Sequence, residues 1–158
     1  MATLGTFTSG SVLTAAELNQ LNNVTALYDA GNQAIAPTTP TAVTFGAGTE
    51  IVDVSGWHST SSNTDRITPN IAGIYLVVAS SQLFYAGSTI AFESSIFKNG
   101  SQICGSLSDG GFYPGATAAT ILELNGTTDY VNSGVYHSAA ATTNAFRRGF
   151  SCTLLRTT

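Results

Sequence analysis

Side chains capable of chemistry are few and scattered. His58 and His137 are the only histidines in 158 residues, and Asp53, Asp65, Asp109 and Asp129 are the aspartates considered as partners for them. A catalytic nucleophile needs a base within hydrogen-bond reach. No serine occupies a Gly-x-Ser-x-Gly elbow, and no cysteine neighbours a histidine in sequence. The His and Cys spacings fit no zinc site. Asp65 and Asp109 fall in polar stretches that could hold calcium, although a lone loop aspartate more often forms a turn. Glu93 lies in a strand-like run, where an unpaired buried carboxylate is costly; solvent, Lys98, Arg147 or Arg148 would satisfy it. The expectation is a protein without catalytic residues, cofactor or metal. Phe112 and Tyr113, in a Gly- and Pro-rich stretch, are candidate receptor contacts, because aromatics displayed on loops suit carbohydrate or protein. The plain alternative is that they fold back onto the protein or a neighbouring copy. Arg147-Arg148 reads as a solvated basic pair.

Composition narrows the class. Charged residues make up 9% of the chain, against about 25% in soluble domains. Thr, Ser, Asn, Gly and Ala take their place, as in β-rich extracellular and virion proteins. The net charge is −4, and five Lys and Arg form no basic stripe, which disfavours nucleic acid as a partner. No apolar stretch approaches a membrane span, and residues 1–7 lack the basic and apolar regions of a secretory signal. In a chain expected to stay unexported, Cys104 and Cys152 read as buried free thiols, and the glycosylation triplets at Asn23, Asn99 and Asn125 as chance matches.

The elements that would position these residues centre on residues 69–84. Ile74, Leu76 and Val78 face one way in an extended strand, and Tyr75, Val77 and Ala79 the other. Both sets are apolar, so both faces need cover. Alternation does not say which face is the core; Tyr75, Val77 and Tyr130 are taken as the face between subunits.

Upstream, residues 1–12 carry only Leu4, Phe7 and Val12 as isolated apolar points and read as an arm ordered by a partner. A helix is expected over residues 15–30. Thr14 and Glu17 would form its capping box, Leu13 and Leu18 its staple, and Leu21, Val24 and Tyr28 its apolar stripe. Residues 36–40, with two prolines, read as a linker, dividing an anchor over residues 1–36 from a knob over residues 37–158. From residue 41 short strands recur between turn signals, the strongest being the Asn99-Gly100 hairpin. The fold class is an all-β jelly-roll sandwich preceded by an arm and a short helix.

These strands carry a resemblance. Gly73-Ile74-Tyr75 with the apolar residues after it is similar to the central strand of the C1q and tumour-necrosis-factor superfamily. Phe97-Lys98-Asn99-Gly100 resembles a hairpin of C1q-like domains. Leu124-Asn125-Gly126 with Asp129-Tyr130-Val131 resembles the family's leucine, glycine-aspartate, valine element, here with two extra threonines. Phe150, Leu154 and Leu155 resemble its closing strand. Phe7, Gly10 and residues 12–19 are similar to a segment near the start of small phage structural and tail-fibre proteins.

Together the resemblances imply a homotrimeric virion protein. Its anchor would be Leu4, Phe7, Val12, Leu13, Leu18, Leu21, Val24 and Tyr28, docked on the major capsid protein or another virion protein through residues 1–35. A capsid decoration or head-fibre role leads. A tail-fibre or baseplate tip binding a host-surface glycan or protein is the rival, and a glycan-modifying enzyme the third reading.

Overall fold

The computed structural model describes residues 23–158. The strands are β1 (Val24–Asp29), β2 (Gln33–Ile35), β3 (Thr41–Ala42), β4 (Glu50–Asp53), β5 (Arg66–Ile67), β6 (Ala72–Phe84), β7 (Ala86–Lys98), β8 (Ser101–Phe112), β9 (Gly115–Asn125), β10 (Val131–His137) and β11 (Thr143–Thr157). Among the described residues there is no helix. One sheet has the order β4-β1-β11-β6-β9, with β2 against β11; the other has the order β3-β10-β7-β8, with β5 against β10. From β6 onward the chain crosses repeatedly between the sheets, giving a jelly-roll sandwich.

Alternation in β6 decides which side is inside. Tyr75, Val77, Ala79 and Leu83 are fully buried, while Ile74, Leu76 and Val78 are half-buried on the outward side. Tyr75 and Val77 therefore belong to the core of one chain and cannot form a surface between chains. Tyr75 packs edge-on against Trp57 at 5.6 Å between ring centroids, and its hydroxyl donates to the Ile71 carbonyl. A large buried aromatic with a satisfied hydroxyl is a core residue. Tyr130 is half-buried before β10, with the Arg66 guanidinium 4.1 Å from its ring centroid. It too lies off the outward face of β6.

Residues 24–29, expected in the helix, form β1. Thr25 and Leu27 turn inward, and Val24, Ala26 and Tyr28 outward. Pairing on both edges, with β11 and β4, outweighs the helical stripe because each face then finds its own environment. The rest of the expected helix, and anchor residues Leu4, Phe7, Val12, Leu13, Leu18 and Leu21, lie outside the described residues. The proline-rich stretch at 36–40 joins β2 to β3 on the surface of the sandwich, and the Thr38 N–H donates to the His137 carbonyl at 2.9 Å. The β-domain thus begins before this stretch, at or before β1.

Asn99 and Gly100 adopt left-handed conformations and close the β7–β8 hairpin as expected. A second turn is tied by Asn125, whose Oδ1 accepts backbone N–H groups from Thr127, Thr128 and Asp129. Gly126 in that turn has φ +68°, and a Cβ there would lie 2.3 Å from the Ala72 nitrogen. Hydrogen bonds from Asn99 and Lys98 hold the Asp129 carboxyl below the usual carboxylate range.

Phe150 stacks on Phe45 at 6.3 Å and is nearly fully buried. Phe150→Ala should lower unfolding stability by about 3–5 kcal/mol in urea titrations. Val54→Ala, at a side chain 64% exposed, should stay within about 0.5 kcal/mol.

Candidate functional site

The two histidines do structural work. His58 is buried, with Nδ1 2.8 Å from a Glu50 carboxylate oxygen and Nε2 3.3 Å from the Thr64 carbonyl. His137 is fully buried, with Nε2 3.0 Å from the Ile35 carbonyl. Asp109 lies within β8 and not in a loop, and the other three aspartates are engaged elsewhere: Asp53 accepts from Thr25 and from the backbone of Trp57 and His58. Asp65 lies 3.7 Å from Arg66, and Asp129 2.9 Å from Lys98. Glu93 takes hydrogen bonds from Ser95 and Gln102 rather than from a cation. Both cysteines are free; burial pushes the Cys152 thiol strongly up, so it stays protonated.

The feature that stands out is the outward face of the six-stranded sheet. Its register aligns outward residues of β1, β11, β6 and β9 in rows. Val24, Thr153, Leu76 and Ile121 form one row, and Ala26, Ser151, Val78 and Ala119 the next. Tyr28, Gly149, Ser80 and Thr117 form a third. None of these twelve residues is charged. A solvated sheet face is normally polar; here Ile121 is 62% exposed beside half-buried Leu76. The sequence reading separated Ile74, Leu76 and Val78 from Tyr75 and Val77, but gave the outward role to the wrong set. Val24 and Tyr28 stand on this same face.

Beyond the third row the face turns aromatic. Phe84, Tyr113 and Phe146 meet edge to face, with centroid separations of 5.3, 6.0 and 6.1 Å. Phe84 and Phe146 were not singled out in the sequence, because they come from chain segments more than sixty residues apart and only the β6–β11 register joins them. Phe112, at the end of β8 rather than in a loop, is 74% exposed and outside this trio.

The cluster lies at one end of the sheet. Thr157 pairs with Gly73 and Asn23 accepts from the Leu154 N–H at one end; Asn144 pairs with Phe84 at the other. Nine residues of β6 separate the level of Asn23 from Phe84, roughly 30 Å. Residues 1–22 therefore join the sandwich at the end away from the aromatic trio.

Arg147 and Arg148 sit where the β6–β11 register shifts, between Phe146 and Gly149. They are not a solvated pair. Arg148 is nearly fully buried and donates to Asp29, to Gln33 Oε1 at 2.6 Å and to the Thr44 carbonyl at 2.9 Å. Desolvation lowers its pKa from the ordinary arginine value, and Asp29 opposes that shift. Arg147 points out beside the aromatic trio.

The sandwich is similar to solved C1q and TNF-type domains. The globular domain of zebrafish complement 1qA protein superposes with a TM-score of 0.60 at 12% identity, over 87% of this chain and 100% of that one. Murine APRIL gives 0.58 at 14% identity, over 84% and 98% of the two chains. Eiger TNF from S. frugiperda gives 0.56 at 14%, over 85% and 93%. The chain has a C1q/TNF-like jelly-roll fold, and at these identities the likeness is one of fold alone. No family profile matches the sequence, and no curated protein sequence does.

Arg148→Met strands Asp29 beside the core and should cost about 3 kcal/mol of unfolding stability. Arg147→Gln, at the exposed neighbour, should change it by less than about 0.5 kcal/mol. Urea midpoints of the two variants check the contrast.

Proposed function

We propose that this chain is a non-enzymatic structural protein of a phage virion, a homotrimer whose knobs join through the outward face of the six-stranded sheet. The uncharged, partly apolar rows across β1, β11, β6 and β9 carry the reading. A contiguous apolar face on a soluble protein marks an interaction surface. A second and third copy would cover it, closing the gap left by a strand apolar on both sides. The C1q/TNF-like fold supports a closed ring of such copies.

Placement on a virion rests on the N-terminal segment that resembles phage structural proteins, and on the scarcity of charge. In this reading residues 1–22 anchor the knob on the major capsid protein, as a decoration or head fibre. Three anchors act together, so modest affinity in each multiplies through avidity. The alternative, a tail-fibre or baseplate tip, is favoured by one observation: the aromatic trio lies at the end of the sheet away from Asn23, where a receptor would meet it.

Leu76→Asp combined with Ile121→Asp should give folded monomers, since neither side chain lies in the core. The unaltered protein should sediment at three times the 16.3 kDa chain mass. A monomer there would end the trimer reading. Protein lacking residues 1–22 should remain trimeric and no longer decorate virions stripped of it, while labelling of intact virions on tails alone would favour the alternative.

A further inference from the structure

The aromatic trio sits in strained surroundings. Among the described residues five non-glycine residues have left-handed backbones; of these, Tyr113 (φ 48°) belongs to this cluster and Arg147 (φ 47°) borders it. Asn63 and Asn99 tolerate that conformation, but a tyrosine or an arginine adopts it only under backbone strain. The shift in the β6–β11 register re-aims Arg147 outward while Arg148 turns inward.

Among the described residues Arg147 has no counter-charge. The four ion pairs of the described residues involve His58, Arg66, Lys98 and Arg148. The Arg147 guanidinium reaches only Gln82 Oε1, at 3.3 Å, and lies 5.4 Å from the Phe146 ring centroid. In a chain of net charge −4 this is an isolated cation held beside exposed aromatic rings. Phe84 is 52% and Tyr113 45% exposed, although both are large enough to be worth burying.

The space around it has two parts that share Gln82 and Arg147. One is a cavity of about 310 Å³ walled by Phe84, Tyr113 and Phe146. The other is an open depression of about 580 Å³ lined by Tyr28, Ser80 and Thr117. Rings suit the apolar C–H face of a pyranose, hydroxyls and an amide suit sugar hydroxyls, and one guanidinium fork suits one carboxylate. A single cation does not suit a polyphosphate chain.

We propose that the cradle formed by Phe84, Tyr113, Phe146, Gln82 and Arg147 binds an acidic sugar, a hexuronic or sialic acid residue of a surface glycan. The proposal does not depend on whether the knob stands on a capsid or a tail. It requires that neighbouring copies meet on the first two rows and leave the third row and the cradle open.

The test is calorimetric titration of the full chain with trigalacturonic acid, sialyllactose and neutral maltotriose, with sedimentation run on the same sample. Saturable binding of either acid, with maltotriose weaker, is expected, and the acid that binds identifies the sugar class. Arg147→Asn keeps a residue that tolerates the left-handed backbone. It should weaken the acidic sugar about tenfold, leave maltotriose unchanged, and not lower thermal stability. Tyr113→Gly should weaken both. Absence of binding by both acids at millimolar concentration overturns the site, whatever the sedimentation result. Undiminished acid binding by Arg147→Asn overturns it as well. A trimer that binds neither acid leaves the assembly reading standing and removes this one; a monomer that binds does the reverse.

Discussion

Strand β11 is held between β1 and β6, and both faces of the molecule depend on that double pairing. Its inward residues Phe150, Cys152 and Leu154 close the core against Tyr75, Val77 and Phe45. Its outward residues Ser151 and Thr153 are small, so the rows across the sheet lie flat. The buried groups on this seam stay neutral: desolvation raises the pKa of the Tyr75 phenol and the Cys152 thiol strongly, and keeps both protonated. The one charge brought inside nearby, Arg148, has its counter-ion Asp29 on β1, so β1 is tied to β11 by side chain as well as backbone. A change in that register would move every outward residue to the wrong side at once.

Much of the sandwich was legible because its signals are local. The Asn99-Gly100 turn needs only two residues in left-handed conformations, and the chain supplies the pair that adopts them. The alternation of residues 74–79 separated two faces correctly. It could not label them, since Tyr75 and Ile74 are both apolar and the choice depends on Trp57 and Leu154 packing from distant segments. The stretch at 24–29 carried apolar residues that fit both a helical stripe and an alternating strand, and the free edges of β11 and β4 decided it. The same long-range dependence hid the difference between Arg147 and Arg148. Adjacent in sequence and identical in type, they part because a register shift puts one inside and one out.

The outward face changes character along its length. Toward the Asn23 end Val24, Leu76 and Ile121 make it aliphatic, and beyond them Arg156 and Glu123 flank Ile74 at the rim. In the middle it is small and hydroxylated, and at the far end aromatic and cationic. Gly149 in the third row lets Ser80 approach where a Cβ would lie 2.7 Å from its hydroxyl. In the proposed trimer such a gradient would separate assembly from recognition on one continuous surface, with copies meeting on the aliphatic side and rings and guanidinium left at the mouth.

The place of β1 has a mechanical consequence. It runs from Val24, near the junction with residues 1–22, toward the aromatic end, paired on both edges. Antiparallel hydrogen bonds lie across the strand axis. A pull at Asn23, with the far end of the knob held, therefore drags β1 lengthwise and strains its bonds to β11 and β4 together, not one after another as in unzipping. Arg148, gripping Asp29 at the far end of the strand, opposes the same sliding motion. A load entering the sandwich at Asn23 is therefore met in shear, the direction in which paired strands resist most.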